Sequence, residues 1–305
     1  MVIASILFII GLIGLWKSSD WLIDSGSAIA AHYQISPLLI GLSLVAFGTS
    51  APELVINALA SFKHQPAIVW GNVLGSNIAN TTLILGLTAI ITPLCFKQLR
   101  QTRLLAAHAL PPVCLLGLIA RNPTLGASAG CVLLLLLAGY MILLYRSNQL
   151  PCDSDKNSTP LRIAMPIFVL ACIALPSFAY LVLTQATTLA KLMGIPELII
   201  SLFFVSLGSS LPELATCINA AVKRNTGLVL GNIIGSNIFN IAFVLGVSAC
   251  IRPIAWPGSL GLEAVFVLAL PIGLWLLSTI VHALHRGVGI ILFMLYGAYI
   301  LYYLL

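Results

Sequence analysis

The sequence predicts an all-α integral membrane protein of about ten transmembrane helices, arranged as two inverted-topology five-helix repeats. Three observations predict it: a composition too apolar for water, a series of long uncharged runs, and an internal duplication at one constant offset. Of 305 residues, 60% are hydrophobic and only 7% charged, and the mean hydropathy is +1.10. A soluble domain carries about a quarter charged residues because its surface must be wetted. This chain belongs in a bilayer.

A helix crossing the hydrocarbon needs about 20 apolar residues. The apolar runs lie near 2–16, 21–43, 44–62, 66–92, 104–120, 125–145, 162–189, 195–222, 227–251, 260–283 and 287–305. The intervals 21–43 and 44–62 cannot both be full helices. The polar stretch from Asp20 to His32, followed by Pro37, reads as an interfacial lead-in to one interrupted helix over about 35–62. Ten spans result. The runs are continuous in polarity, which excludes membrane strands. The first run lacks a basic start and a small-residue cleavage site, so it is a helix rather than a signal peptide.

Orientation follows from Lys and Arg in the loops. One set of loops holds Lys17, Lys97, Arg100, Arg103, Arg146, Lys156, Arg162, Lys223, Arg224 and Arg286; the other holds Lys63, Arg121, Lys191 and Arg252. Ten against four places the first set in the cytoplasm and both termini outside. Loop orientation therefore accounts for the net charge of +6 without a nucleic-acid partner. "KQLRQTR" at 97–103 reads as a cytoplasmic anchor before it reads as a lipid-binding patch. The seven cysteines, without a CxxC, read as small unpaired thiols.

Residues 35–94 align with 195–254 without a gap, and 25 of the 60 positions are identical. "GTSAPEL" faces "GSSLPEL", and "GNVLGSNIAN" faces "GNIIGSNIFN". One offset held over that length is a duplication. With five spans between them, the copies cross in opposite directions, dividing the chain into a first repeat over 1–145, a short cytoplasmic linker over 146–161 and a second repeat over 162–305. Inverted halves are a mark of secondary transporters, with the site near the midplane where they meet.

Glu53 and Glu213 are the only carboxylates deep inside predicted spans. A charge at the bilayer centre costs at least about 2.5–3.5 kcal/mol, so it needs a cavity and a partner. No basic residue lies deep in any span, which leaves protons or bound cations. Thr49 and Ser50 share the helical face of Glu53. Pro52 and Gly48 loosen the backbone there, which is expected to free carbonyls around Ala46. The second copy offers Ser206, Ser209, Ser210 and Glu213 in register. In the following helix, Ser76 and Asn80 are four apart on one face, as are Ser236 and Asn240. Gly71, Gly75, Gly231 and Gly235 would let this helix approach its neighbour closely. Carboxylates, amides, hydroxyls and carbonyls, without clustered His or Cys, suit Na⁺ or Ca²⁺ and disfavour zinc or copper.

On these residues the sequence resembles the sodium/calcium exchanger family, within the cation/calcium antiporter superfamily. "GTSAPE" and "GSSLPE", each followed by "GSNI", carry the resemblance across nearly the whole chain. It implies a prokaryotic-type member in an inner membrane, exchanging Na⁺ for Ca²⁺ by alternating access, with no cofactor, no enzymatic activity and no protein partner. The implied ion site comprises Ala46, Thr49, Ser50, Glu53, Ser76, Asn80, Ser206, Ser209, Ser210, Glu213, Ser236 and Asn240. Asn240 stands where potassium-dependent members have Asp, and the family's large regulatory loop is missing. A Ca²⁺/H⁺ or Na⁺/H⁺ exchanger using the same two glutamates is the alternative. A channel or an intramembrane hydrolase accounts less well for the surrounding hydroxyls and amides.

Overall fold

The computed structural model describes residues 1–96, 107–146, 159–195, 208–258 and 260–304. Among them run α1 (Val2–Tyr33), α2 (Pro37–Thr49), α3 (Ala51–Phe62), α4 (Pro66–Ile91), α5 (Leu110–Arg121), α6 (Ala127–Arg146), α7 (Leu161–Leu192), α8 (Leu211–Val222), α9 (Thr226–Ile251), α10 (Gly261–Ile280) and α11 (Arg286–Leu304). Four two-residue strands join them: β1 (Leu94–Cys95), β2 (Thr124–Leu125), β3 (Ile254–Ala255) and β4 (Ala283–Leu284). Among the described residues seven helices are long and apolar enough to cross a membrane, and α2 with α3, bent by 45°, makes an eighth. The protein is a multi-pass membrane protein. The spans expected near 104–120 and 195–222 lie partly outside the described residues, and α5 and α8 are their described parts.

Burial sorts the helices into centre and rim. α4 and α9 are buried along most of their length, whereas α1, α6, α7, α10 and α11 turn large apolar side chains outward. In lipid such side chains cost nothing to expose, so the interior is free to hold polar residues. α1 and α7, each 32 residues and so about 48 Å long, pack along one another at the rim.

The duplication shows in the backbone. Among the described residues three that are not glycine have positive φ, and two of them are an offset of 160 apart: His64 at 56° and Arg224 at 57°. Gln34, at 54°, has its counterpart in Gly194, at 76°. These are the left-handed residues that close α1, α3, α7 and α8. The strands follow suit. Leu94 pairs with Leu284, and Ile254, the counterpart of Leu94, pairs with Leu125. Exchanging the halves turns one ladder into the other.

Two expectations need correction. Residues 2–33 form one helix, so Lys17 is not in a loop and Asp20–His32 is not a separate lead-in. No Pro stops the helix there, and its polar residues are satisfied in place. Ser18, Ser19 and Ser25 donate to carbonyls three or four residues back, while Asp20 and Asp24 pair with Lys223. The expected close approach is seen at Gly231 and Gly235. A Cβ on Gly235 would lie 2.6 Å from Ala46 Cβ and 2.8 Å from Leu42 O, so α9 and α2 touch backbone to backbone. Gly71 and Gly75 meet no described atom; the segment in the equivalent place, 198–206, lies outside the described residues.

Candidate functional site

The α2–α3 break sits at Ser50, with φ −85° and ψ 4°. Ser210, at the start of α8, has φ −87° and ψ 6°. Each is followed by a proline in the first helical turn, Pro52 and Pro212. Lacking an N–H, each proline removes the donor that would serve the carbonyl four residues earlier, at Gly48 and Gly208. The carbonyl of Ala46 is not freed, contrary to the sequence-based expectation. It accepts the Ser50 N–H at 3.0 Å and the Thr49 hydroxyl at 3.3 Å, because the break comes one turn later.

Glu53 and Glu213 fall in the first turns of α3 and α8, where the helix start offers partial positive charge. Both are buried, at 0% and 1% exposure. The groups predicted to converge do so across the halves. Ser50 donates to Glu213 Oε1 at 3.2 Å. Thr49 Oγ1 lies 3.3 Å from Ser236 Oγ, and the counterpart pair, Ser209 and Ser76, is also at 3.3 Å. Ser206 lies outside the described residues.

The amides are arranged crosswise. Asn80 Nδ2 donates to Asn237 Oδ1 at 3.1 Å, and its counterpart Asn240 Nδ2 donates to Asn77 Oδ1 at 3.2 Å. Each NH₂ group is thus turned toward the opposite half, which aims each Oδ1 the other way. Those two oxygens are buried without a hydrogen-bond donor. So are both oxygens of Glu53, Oε2 of Glu213 and the hydroxyl of Ser210. A buried acceptor without a donor costs about 1–3 kcal/mol, more if charged. Six such oxygens in the predicted set are therefore an unmet demand for positive charge. Among the described residues no three His, Cys, Asp or Glu side chains converge, so that demand is built from oxygen alone, the ligand set of a hard cation.

Four asparagines escaped the sequence reading. Asn77 and Asn237 orient the two amides, and Asn232 accepts from Thr49 at 3.1 Å. Asn72 donates to Asn57 at 3.2 Å, in the place where Asn232 donates to Cys217 Sγ. The signal was present, since "GN" and "GSN" are identical in both copies, but only the last Asn of each run was read as functional.

A family model described as "Sodium/calcium exchanger protein" matches residues 3–146 and 163–305. The chain is 35% identical over 265 residues to the inner membrane protein YrbG of Escherichia coli, covering 83% of this chain and 81% of that one. It is 30% identical over 339 aligned positions to the sodium/calcium exchanger MaX1 of Methanosarcina acetivorans, covering 97% of each. A solved structure of the sodium-calcium exchanger NCX_Mj, soaked with Na⁺ and Sr²⁺, superposes with a TM-score of 0.85 at 30% identity, covering 98% of both chains. The match on either side of 147–162 reproduces the two stretches that carry the motifs. The chain belongs to the sodium/calcium exchanger family, a family of transporters rather than of enzymes.

Proposed function

We propose that this protein exchanges Na⁺ for Ca²⁺ by alternating access at one site between its halves. The observation that carries the reading is the set of six buried oxygens without donors, two carboxylates among them. Empty, the site has a formal charge of −2. One Ca²⁺ neutralises it, as do two Na⁺. Reorienting the empty dianion through a low-dielectric barrier is costly, whereas a neutralised site can move, and that difference couples the two fluxes.

The same reading takes the protein as ten spans in two inverted halves, 1–145 and 162–305, joined by a cytoplasmic linker at 146–161. The termini face outward in a prokaryotic inner membrane, and the site lies near the midplane. The ligands are Glu53, Glu213, Asn80, Asn240, Thr49, Ser50, Ser76, Ser209, Ser210 and Ser236, with Ala46 and Ser206 completing the set that the family resemblance implies. The exchange rule that relates the two strand ladders and the two amide pairs supports the paired halves. Asn240, neutral and hydrogen-bonded, supports independence from K⁺. A proton exchanger would use the same two glutamates, but a proton needs none of the neutral amide and hydroxyl oxygens around them.

The test is ⁴⁵Ca²⁺ uptake into sealed vesicles loaded with Na⁺. Uptake should require the outward Na⁺ gradient and persist when the proton gradient is collapsed. Uptake driven by a pH gradient without Na⁺ would establish the proton reading instead.

A further inference from the structure

His108 belongs to no ligand set, yet it touches the amide that orients one. It sits in the turn before α5, is 1% exposed, and its Nε2 lies 3.3 Å from Asn237 Nδ2. We propose that His108 is a positioning residue that sets the direction of the Asn237–Asn80 hydrogen-bond chain, and that protonating it withdraws the Asn80 oxygen from the cation. The proposal rests on the exchanger reading above and adds a proton-sensitive element to that same site.

Hydrogen-bond polarity fixes the role of each atom in the chain. Asn237 Oδ1 is committed as acceptor to Asn80 Nδ2 at 3.1 Å, so its NH₂ group faces the other way. One hydrogen of that group goes to Thr81 Oγ1 at 2.7 Å. Thr81 spends its own proton on the Asn77 carbonyl at 3.0 Å and is therefore an acceptor here. The second hydrogen points at His108 Nε2. With the amide so turned, that nitrogen accepts, which makes His108 neutral with its proton on Nδ1, a buried atom that has no hydrogen-bond partner among the described residues.

A second proton on the ring turns Nε2 into a donor facing a donor. Relief comes from rotating the Asn237 amide so that Oδ1 meets His108. Its NH₂ then meets the NH₂ of Asn80, and Asn80 must rotate too, presenting nitrogen where its free oxygen had been. An amide NH₂ cannot ligate a cation. Each step is a rotation about one side-chain bond, and the only proton added is the one on His108.

The chain is one-sided. The counterpart of Thr81 is Ile241, and Asn77, which orients Asn240, donates to a backbone oxygen, Asn237 O, at 3.4 Å. Of the two amides, Asn80 alone is wired to a titratable group among the described residues. His108 shares a cavity of about 10 Å³, roughly one water in size, with Asn77, Thr81, Pro112, Asn237 and Val267. None of these is charged. Among the described helices facing it, α4 carries no titratable side chain and α9 only Cys250. α5 carries Cys114 and, at its far end, Arg121. α10 carries only Glu263, whose Oε1 is occupied by the hydroxyls of Tyr299 and Tyr303.

The experiment compares wild type with His108→Gln, whose side-chain oxygen accepts from Asn237 but takes up no proton. The readout is the apparent Ca²⁺ KM for Na⁺-driven uptake across pH. From about pH 7 to about pH 4 the wild-type KM should rise roughly fivefold or more, the worth of one ligand bond. His108→Gln should match wild type at the neutral end and show less than half that rise. Superposable profiles would overturn the proposal. If His108→Gln is not recovered in the membrane, ¹⁵N-histidine NMR of a protein with the other four histidines replaced decides: the Nδ1–H tautomer supports the proposal and the Nε2–H tautomer overturns it. Wild type that moves no Ca²⁺ at any pH refutes the exchanger reading instead, and the NMR result still reports on the hydrogen-bond chain.

Discussion

Lys223 and Asp24 form an ion pair of 2.5 Å that ties the end of α8 to the last third of α1, and Asp20 completes it from the preceding turn at the same distance. Partial burial works against the ammonium, but the two carboxylates outweigh it and hold its pKa above the ordinary lysine value. A raised lysine pKa means the ammonium is charged at neutral pH, and its side of the pairing is lost as pH climbs past the lysine range. One turn further in, Asn219 donates to Ser19 at 3.0 Å. The counterpart of Asn219 is Leu59, 54% exposed, so this polar seam exists on one side only.

Removing the latch should loosen that side. In a cysteine-free background with Ser19→Cys, adding Lys223→Met should speed thiol labelling at position 19 roughly two- to tenfold, the worth of one or two partly exposed ion pairs. Unchanged labelling would mean the pairs are ornamental to the closed seam.

Glu53→Gln and Glu213→Gln should each abolish exchange without unfolding the protein. Both carboxylates are buried and lack a cationic partner among the described residues, so neutralising either relieves a cost in the empty protein. Thermal unfolding in detergent should therefore occur at the same temperature or higher, and Ca²⁺ should no longer raise it. Wild-type transport in either variant would remove the glutamates from the site.

Asn240→Asp adds a third negative charge and also deletes the donor to Asn77 Oδ1. Uptake from choline medium without K⁺ should proceed in the wild type. In the variant it should slow at least about tenfold, the loss of one bond to a charged group. An absolute K⁺ requirement in the wild type would refute the reading of this position while leaving Ca²⁺ transport itself in place.

Gly235→Ala should cost both stability and transport. Its methyl would collide with Ala46 Cβ and the Leu42 carbonyl, and prying α2 from α9 separates Thr49 from Ser236. A loss of about 1–3 kcal/mol is expected from such overpacking, measurable as a lower unfolding temperature. Normal stability with normal transport would show that the two backbones part freely.

Much of this was legible from short strings. "GTSAPE" and "GSSLPE" disclosed the helix break at Ser50 and the helix start at Ser210, because a proline behind two hydroxyls can be read locally. The carboxylates without a cationic partner were legible because no base shares their depth. What stayed hidden depended on partners far along the chain. Asp20 and Asp24 look like a loop until Lys223, 199 residues from Asp24, is seen beside them. The orienting role of Asn77 and Asn237 exists only between the halves. His108 has no counterpart in the second copy, so the repeat, the strongest guide to the site, pointed away from it.

The crossed ladders bear on how the protein is made. β1 waits for β4 and β2 for β3, so the first 146 residues emerge with both of their short edges unpaired and with Ser50 and Ser76 facing nothing. Neither half is a finished object on its own, and the ribosome must deliver the second before the first can close. Expressed as separate polypeptides, residues 1–146 and 159–305 should each be degraded alone and persist only when made in the same cell.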